Sequence, residues 1–507
     1  MSDRNVTIAK NTLFLSLRMV FVLLISLYTS RVFLNVLGVV DYGISNAVAG
    51  FVSMFSFLNT SLSNGIQRFY NAEIGRSGRC GVTDVYNTSL VIQSVIAVSV
   101  VILLETVGLW YLYHKMVIPA ERFHVAFWLY QFCTVSSAIV IMQSPYMAAI
   151  MAFEKMNAYA LFSVIDVVCK LLFAIALPHM SADRLLMYGA FYLFVTVLNF
   201  VLCYAYSKMH FKELHFKRIY HKGMLKSMLK FSGWNLCGTF ACVAREQGLN
   251  LVLNIFFGPV INAARGVAYQ VSSAFQGFVS NISVAAKPQI VQSYAEGEAS
   301  RTMRLMFSMS KLSFIVLFIL SMPILFNVDF VLHIWLGDAV PAHTAHFVVL
   351  VVLTNFMNNL NAPLSNVVYA TGQMRNYQLT FSILNLLIIP FSYIALRSGA
   401  RPEMAFVIYL CMSVVVQFGC LLVMRGMVSL SLTKYFKEIV MPLALISIIV
   451  CPVLYVVNLV MQEGMVRLLT LYAVSGILSS AVFYYIALDQ AEKAVVRSIV
   501  GRIKFRR

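Results

Sequence analysis

Nine ionisable side chains fall inside long apolar stretches of this sequence. They are Arg18, Arg31, Lys170, Arg245, Arg265 and Lys311, set against Glu105, Asp166 and Glu246. A charge at the centre of a membrane-spanning helix costs roughly 2.5–3.5 kcal/mol on insertion scales, so each is a candidate functional group. Some have a plainer role open to them. Arg31, Arg265 and Lys311 lie near the ends of their stretches, where a long side chain can snorkel to the interface. Asp166 and Lys170 stand four residues apart and can neutralise each other on one helix. Arg18 has no acid on its own helix. Arg245 and Glu246 are adjacent, about 100° apart on a helix, so no face-to-face pair is expected. Glu246 shares a face with Ser232, Asn235, Thr239 and Cys242, and Arg245 requires a partner from another helix or an anionic ligand. Six cations against three acids leave an excess of three positive charges. That balance suits an anion such as a phosphate or pyrophosphate, which arginine holds well. A cationic ligand would want unpaired carboxylates, and the first two apolar stretches contain none.

The most informative stretch is Gly258–Glu298, long and apolar enough to cross a bilayer yet polar on one side. Asn262, Arg265, Tyr269, Ser272, Gln276, Ser280, Ser283 and Lys287 recur at steps of three or four, which places them on one helix face. Val267, Ala268, Val271, Ala274, Phe275, Phe278 and Val279 cover the rest. Polar groups in hydrocarbon need partners, so this stripe should line a wet cavity or a helix interface. A second stripe, Asn46, Ser53, Ser56, Thr60, Ser63 and Gln67, lies on the span near 43–66.

The elements that carry these residues follow from composition. The chain has 507 residues, is 60% hydrophobic and 11% charged, and carries a net charge of +18. Its mean hydropathy is +0.81. This is the composition of an all-α, polytopic membrane protein. About fourteen spans are expected, near 12–35, 43–66, 84–113, 124–150, 157–178, 184–207, 229–257, 262–286, 303–327, 345–370, 376–397, 403–425, 437–460 and 464–487. With the N-terminus inside, the inside segments hold 26 of the 38 Lys and Arg and the outside segments hold 6. This asymmetry places both termini in the cytoplasm. The basic residues sit in short loops, which argues against nucleic acid as a partner and for contact with anionic membrane lipids. The nine cysteines form no CxxC and no Cys/His spacing, so neither a metal site nor another cofactor is expected. The first span shows no prompt cleavage site and reads as uncleaved. The longest outside loop, about 328–344, carries Asp329, His333, Asp338 and His343, with His346 following, and is expected to be solvated.

The chain repeats itself. Pro145, Ala152, Met156 and Tyr159 recur 218 residues later as Pro363, Ala370, Met374 and Tyr377. Leu34-Asn35 recurs as Leu253-Asn254, Gly38 as Gly258, and Ala72-Glu73 as Ala295-Glu296. The expected organisation is therefore a six-helix lobe over 1–207, a basic cytoplasmic linker over 208–228, a second six-helix lobe over 229–425, and two further helices with a basic tail over 426–507. An even span count makes the repeats parallel. The two polar stripes then fall on corresponding spans, which points to a shared central cavity between pseudo-symmetric lobes and to alternating access.

Three runs carry a family resemblance. These are NIFFGPVINAARGVAYQV with FVSNISVAAKPQIVQSYAEGE (254–298), TSRVFLNVLGVVDYGISNAVAGFVSMFSFLNTSLSNGIQRF (29–69) and YATGQMRNYQ (369–378). Over most of its length the chain resembles the bacterial polysaccharide and O-antigen flippases of the multidrug/oligosaccharidyl-lipid/polysaccharide exporter superfamily. The resemblance implies a V-shaped two-lobed bundle in the bacterial inner membrane, with no enzymatic activity. It also implies a substrate, an undecaprenyl-pyrophosphate-linked oligosaccharide moved to the periplasmic leaflet for polysaccharide or lipopolysaccharide biosynthesis, and polymerase and export proteins as partners. Related lipid II flippases have cationic cavities. Their first-span arginine matches Arg18 by position, and an eighth-span arginine matches Arg265. The candidate substrate-binding set is Arg18, Arg31, Arg245, Arg265, Asn262, Tyr269, Gln276, Asn46 and Ser53.

Two rivals remain at this stage. A cation-coupled drug exporter of the same superfamily would need Glu246 or Asp166 as its coupling carboxylate. A membrane enzyme would need catalytic acids or histidines on a sizeable outside loop, and 328–344 is the one candidate.

Overall fold

The computed structural model describes residues 3–77, 81–153, 155–216, 222–371, 373–428, 430–490 and 492–493. Within some helices the side chains are described only in part. Among the described residues every regular element is helical. The first half runs α1 Asp3–Ser53, α2 Ser56–Ser77, α3 Val82–Leu103, α4 Leu109–His114, α5 Phe123–Ala152, α6 Met156–Ala176 and α7 Arg184–His210. The chain continues through α8 Lys222–Phe257, α9 Pro259–Ala295, α10 Ala299–Phe326, α11 Val328–Leu336, α12 Thr344–Thr371, α13 Arg375–Leu386, α14 Ile388–Arg397 and α15 Glu403–Val428. It ends with α16 Leu432–Tyr435, α17 Met441–Val460 and α18 Met465–Val482.

Among the described residues, eleven helical segments are long and apolar enough to cross a membrane by themselves. The other three expected spans, 43–66, 229–257 and 262–286, are also helical but too polar to qualify on hydropathy. Their polarity has a structural counterpart in α8 and α9, where residues 248–254 and 258–268 are mostly buried in protein. A helix whose polar groups are met by neighbours need not look like a lipid-facing one. The second span is also interrupted: residues 54–55 form a turn between α1 and α2.

The sequence repeat has a backbone counterpart. Gly38 and Gly258 take positive φ angles of 78° and 74°, a region open to glycine at little cost. Gly38 kinks α1 into two rods, and Gly258 separates α8 from α9. Pro145 and Pro363 likewise both lie inside helices, α5 and α12. Two of the repeated positions thus share a backbone conformation, and two more share a place inside a helix.

By packing, the chain forms two compact units: Met1–Val267 with Trp335–Thr344 and Ser382–Ala405, and Ala268–Ile334 with Ala345–Phe381 and Phe406–Arg507. The core of the first unit includes Leu34, Ile44, Val48, Leu253 and Ala264, each no more than 1% exposed. The second is centred on Phe318, Phe347, Phe406 and Leu364. In the stretch 328–344, Leu332 and Leu336 are buried within α11, while Asp329, His333, Asp338 and His343 are exposed. The stretch is thus not wholly a solvated loop, because its apolar residues fold into a helix whose charged residues stay in water. Trp335, itself part of the first unit, donates its indole N–H to the Leu27 carbonyl at 2.7 Å.

Candidate functional site

Three charged groups converge in the first unit. Arg245 and Glu246 lie on α8 about 18 Å along the helix from its end at Phe257, at 1.5 Å per residue. Arg265 lies about 9 Å into α9, and its long side chain covers part of that difference. Arg265 donates from Nη2 to the Glu246 carbonyl at 2.6 Å. Arg245 donates from Nη2 to Glu246 Oε1 at 3.1 Å and from Nη1 to Asn385 Oδ1 on α13 at 2.5 Å. Both arginines are 5% exposed, whereas the Glu246 side chain is 41% exposed.

The expectation that Arg245 and Glu246 would not pair is overturned. Their Cβ atoms diverge, but both side chains are long enough to curl round the helix, and Asn385 fixes the guanidinium from the far side. Arg245 does have its partner from another helix, as the sequence required. Snorkelling is overturned for Arg265 and for Lys311, because both are buried against partners. Lys311 on α10 meets Glu492 at 2.6 Å and the Ala487 carbonyl at 2.9 Å. Asp166 and Lys170 pair at 2.8 Å within α6, and Asn199 of α7 donates to the second Asp166 oxygen at 3.1 Å. Among the described residues, Lys170, Arg245 and Lys311 are thus each matched by a carboxylate, and Glu492 is an acid that the sequence count of the apolar stretches did not include.

Asn262 is placed away from any open surface. It is 0% exposed and forms a ladder with Asn250 and Asn254. Its amide donates to the Asn250 carbonyl at 2.8 Å and to Asn250 Oδ1 at 2.6 Å, and its oxygen accepts from Asn254 at 2.9 Å. Asn250 reaches on to the Asn46 carbonyl at 3.1 Å, and Asn254 accepts the Val117 amide at 2.9 Å. Glycines let the helices come close enough for this. A methyl on Gly43 would fall on the Pro259 carbonyl, and one on Gly266 would meet Asn46 Oδ1 at 2.7 Å. The ladder had a sequence signal: Asn250 and Asn254 stand i,i+4 in the run LNLVLN, a polar pair in an apolar stretch. Asn385 had none.

The remaining candidates are spread along their helices. Arg31 is half-buried on α1 near Gly337. Arg18 also lies on α1, with its side chain outside the described residues, as are those of Ser56, Thr60 and Lys287. Asn46 is half-buried and donates to the Tyr42 carbonyl at 2.8 Å. Ser53 lines a cavity of about 130 Å³ in the first unit, together with Asn59, Ser136, Ser137 and Tyr192. Beyond it Ser63 contacts Ser144, whose hydroxyl accepts from Gln93 at 3.2 Å.

In the second unit the accessible face of α9 is Tyr269, Ser273, Gln276, Ser280 and Ser283, all half-buried or exposed. Ser272, expected on that face, is buried and accepts from Asn355 of α12 at 2.8 Å. From Tyr269 to Ser283 the accessible face departs from the sequence reading at one residue, Ser273 in place of Ser272, and before Tyr269 the stripe residues Asn262 and Arg265 are buried in protein. Among the described residues no group of His, Cys, Asp and Glu is placed to hold a metal.

No protein-family model and no curated sequence matches the chain. Solved structures do. A multidrug resistance MATE family transporter of the MOP superfamily, in an inward-facing conformation, aligns with TM-score 0.66 and 13% identity over 80% of this chain and 94% of its own. The lipid II flippase MurJ, inward closed, aligns with TM-score 0.68 and 12% identity over 93% of this chain and 99% of its own. A MOP superfamily transporter from Pyrococcus furiosus, described as having a binding pocket of reversed polarity, aligns with TM-score 0.55 and 13% identity over 83% and 97%. The chain therefore has a polytopic membrane-transporter fold. In particular it has the fold shared by the MATE structures and MurJ, with the flippase spanning more of it.

Proposed function

We propose that this protein is a flippase that carries an undecaprenyl-pyrophosphate-linked oligosaccharide from the cytoplasmic to the periplasmic leaflet of a bacterial inner membrane by alternating access. The observation that carries the reading is the meeting of Arg245 and Arg265 at Glu246 deep in the apolar region. Two buried guanidiniums meet there, and arginine suits a pyrophosphate. In this reading the two arginines hold the pyrophosphate, with Arg18 and Arg31 along its route. Within the first unit, Asn46, Ser53 and Asn59 on the earlier span solvate the sugars while the lipid tail stays in the bilayer. Asn262 acts by holding α8 and α9 together. The membrane potential assists outward movement of an anion by roughly 2.3 kcal/mol per charge per 100 mV. The greater coverage by the lipid II flippase, 93% against 80%, supports a lipid-linked substrate, because the difference of about 66 residues is the size of two spans.

One observation favours a second reading, a cation-coupled multidrug exporter. The Glu246 carboxylate is buried only in part and could take a proton or sodium. Binding separates the two. Purified protein is offered a polyprenyl-pyrophosphate oligosaccharide and, separately, cationic dyes. The flippase reading expects Arg245→Ala and Arg265→Ala each to weaken pyrophosphate-lipid binding about 10- to 100-fold, the worth of a charged hydrogen bond. Dye binding that survives both changes and disappears in Glu246→Gln would establish the exporter instead.

A further inference from the structure

The second unit contains a recess of about 1080 Å³ that the proposed transport does not use. Three elements meet around it: the start of α10, residues 430–431 with α16, and the segment after α18. On α10, Arg304, Phe307 and Lys311 follow at steps of three and four and so share one face. Lys434 and Lys437 follow the same rule on the α16 side. The floor is fixed by an internal pair, Lys311 with Glu492 at 2.6 Å. The Glu492 carboxylate also accepts from Ser308 and from the Asp489 amide at 2.9 Å, and Asp489 in return accepts the Glu492 amide at 2.7 Å. These two acids are therefore occupied.

At the rim the balance is different. Arg304 and Lys437 are exposed and have neither a hydrogen-bond partner nor an ion-pair partner among the described residues. Lys434 reaches Glu438 only at 3.7 Å. The other wall is apolar, with Met303, Phe307, Leu430, Pro442 and Ile486. It runs onto an exposed apolar surface at Phe436, Met441 and Ile486, which are 45%, 58% and 39% exposed. The bias of Lys and Arg places this end of the helices on the cytoplasmic side. A recess with free cations on one side and lipid-facing hydrocarbon on the other matches an amphiphile with a negative head.

We propose that this recess binds the phosphate head group of an anionic membrane phospholipid, with the acyl chains running along Phe436, Met441 and Ile486. A soluble phosphate ester would offer the same charge but no use for the apolar wall. This site is independent of the transported substrate.

The test uses the full-length protein in an uncharged detergent. Phosphatidylglycerol, phosphatidylcholine or glycerol phosphate is added, and bound lipid is counted by native mass spectrometry. Each basic side chain near an anionic lipid contributes about a fivefold preference, so two cations predict phosphatidylglycerol favoured about 25-fold over phosphatidylcholine. Arg304→Gln with Lys437→Gln should abolish that preference, while Arg397→Gln with Arg401→Gln, which removes two exposed charges elsewhere, should keep it. If the double variant does not fold, each single change should lower the preference about fivefold. Equal retention of the two lipids, a preference that survives the Arg304/Lys437 change, or equal loss in the Arg397/Arg401 control would each overturn the site. Glycerol phosphate displacing the lipid at equal concentration would assign the recess to a soluble phosphate and overturn the lipid proposal.

Discussion

Replacing Asn262 by Ala separates a structural role from a ligand-binding one. The side chain donates twice to Asn250, at 2.8 and 2.6 Å, and accepts once from Asn254, at 2.9 Å. Alanine removes all three bonds and strands the Asn250 Oδ1 acceptor. Asn254 keeps contact with the Val117 backbone through its other atoms. A buried polar group left without a partner costs about 1–3 kcal/mol in water-soluble proteins. Interhelical bonds inside membranes average only about 0.6 kcal/mol, because the unfolded helices find other partners there. The smaller value governs most of this loss, and the sum is about 1–3 kcal/mol. The assay is reversible denaturation in mixed micelles, followed by the binding of polyprenyl-pyrophosphate lipid to the folded fraction. The expected result is lower stability with affinity unchanged within about twofold. Wild-type stability with lost binding would show that Asn262 touches substrate and that the ladder is incidental.

Other outcomes follow from the same geometry. Gly43→Ala should destabilise by about 1–3 kcal/mol, because the new methyl meets the Pro259 backbone, which cannot swing aside. Gly426→Ala, in α15 with open space around it, should be neutral or stabilising by up to about 1 kcal/mol in the same micelle titration. Lys311→Met leaves Glu492 in a mostly buried site and should cost about 3–5 kcal/mol, most of it restored by adding Glu492→Leu. The fourth concerns pH at Asp183, the residue just before α7. Partial burial works to raise the Asp183 carboxyl, but Arg122 and the amides of Leu186 and Leu185 outweigh it and hold it below the ordinary carboxylate range. A depressed carboxyl contributes stability above its unfolded value of about 3.9, and that contribution fades as pH falls through the lower folded value. Thermal midpoints of wild type and Arg122→Gln should therefore differ at pH 6 and converge towards pH 3. A constant difference across that range would refute the link.

Much of the candidate site was legible before the structure. The helical class, the accessibility of Tyr269, Gln276, Ser280 and Ser283 on α9, and the need of Arg245 for a partner from another helix all follow from burial cost and helical period. The glycine pair was legible as a repeat, Gly38 with Gly258. Other features were not. Nothing in local sequence distinguishes Ser272 from Ser273, since adjacent serines have the same chemistry and the packing of α12 decides which is covered. Lys311 looked like a snorkelling residue because its partner, Glu492, lies 181 positions away on a segment with no visible link to α10.

Sequence alone determined that this chain crosses a membrane many times in a duplicated pattern, with more positive than negative charge inside the apolar region. Those facts depend on composition, period and repeat, and each is a property of short windows. Tertiary structure decided which charges are neutralised: Arg245 shares Glu246, Lys311 is matched by Glu492, and Arg265 turns to a carbonyl. It also decided that Asn262 faces protein rather than a cavity. The physical reason is that the energy of a polar group in a membrane is set by its nearest partner, and those partners come from helices distant in sequence.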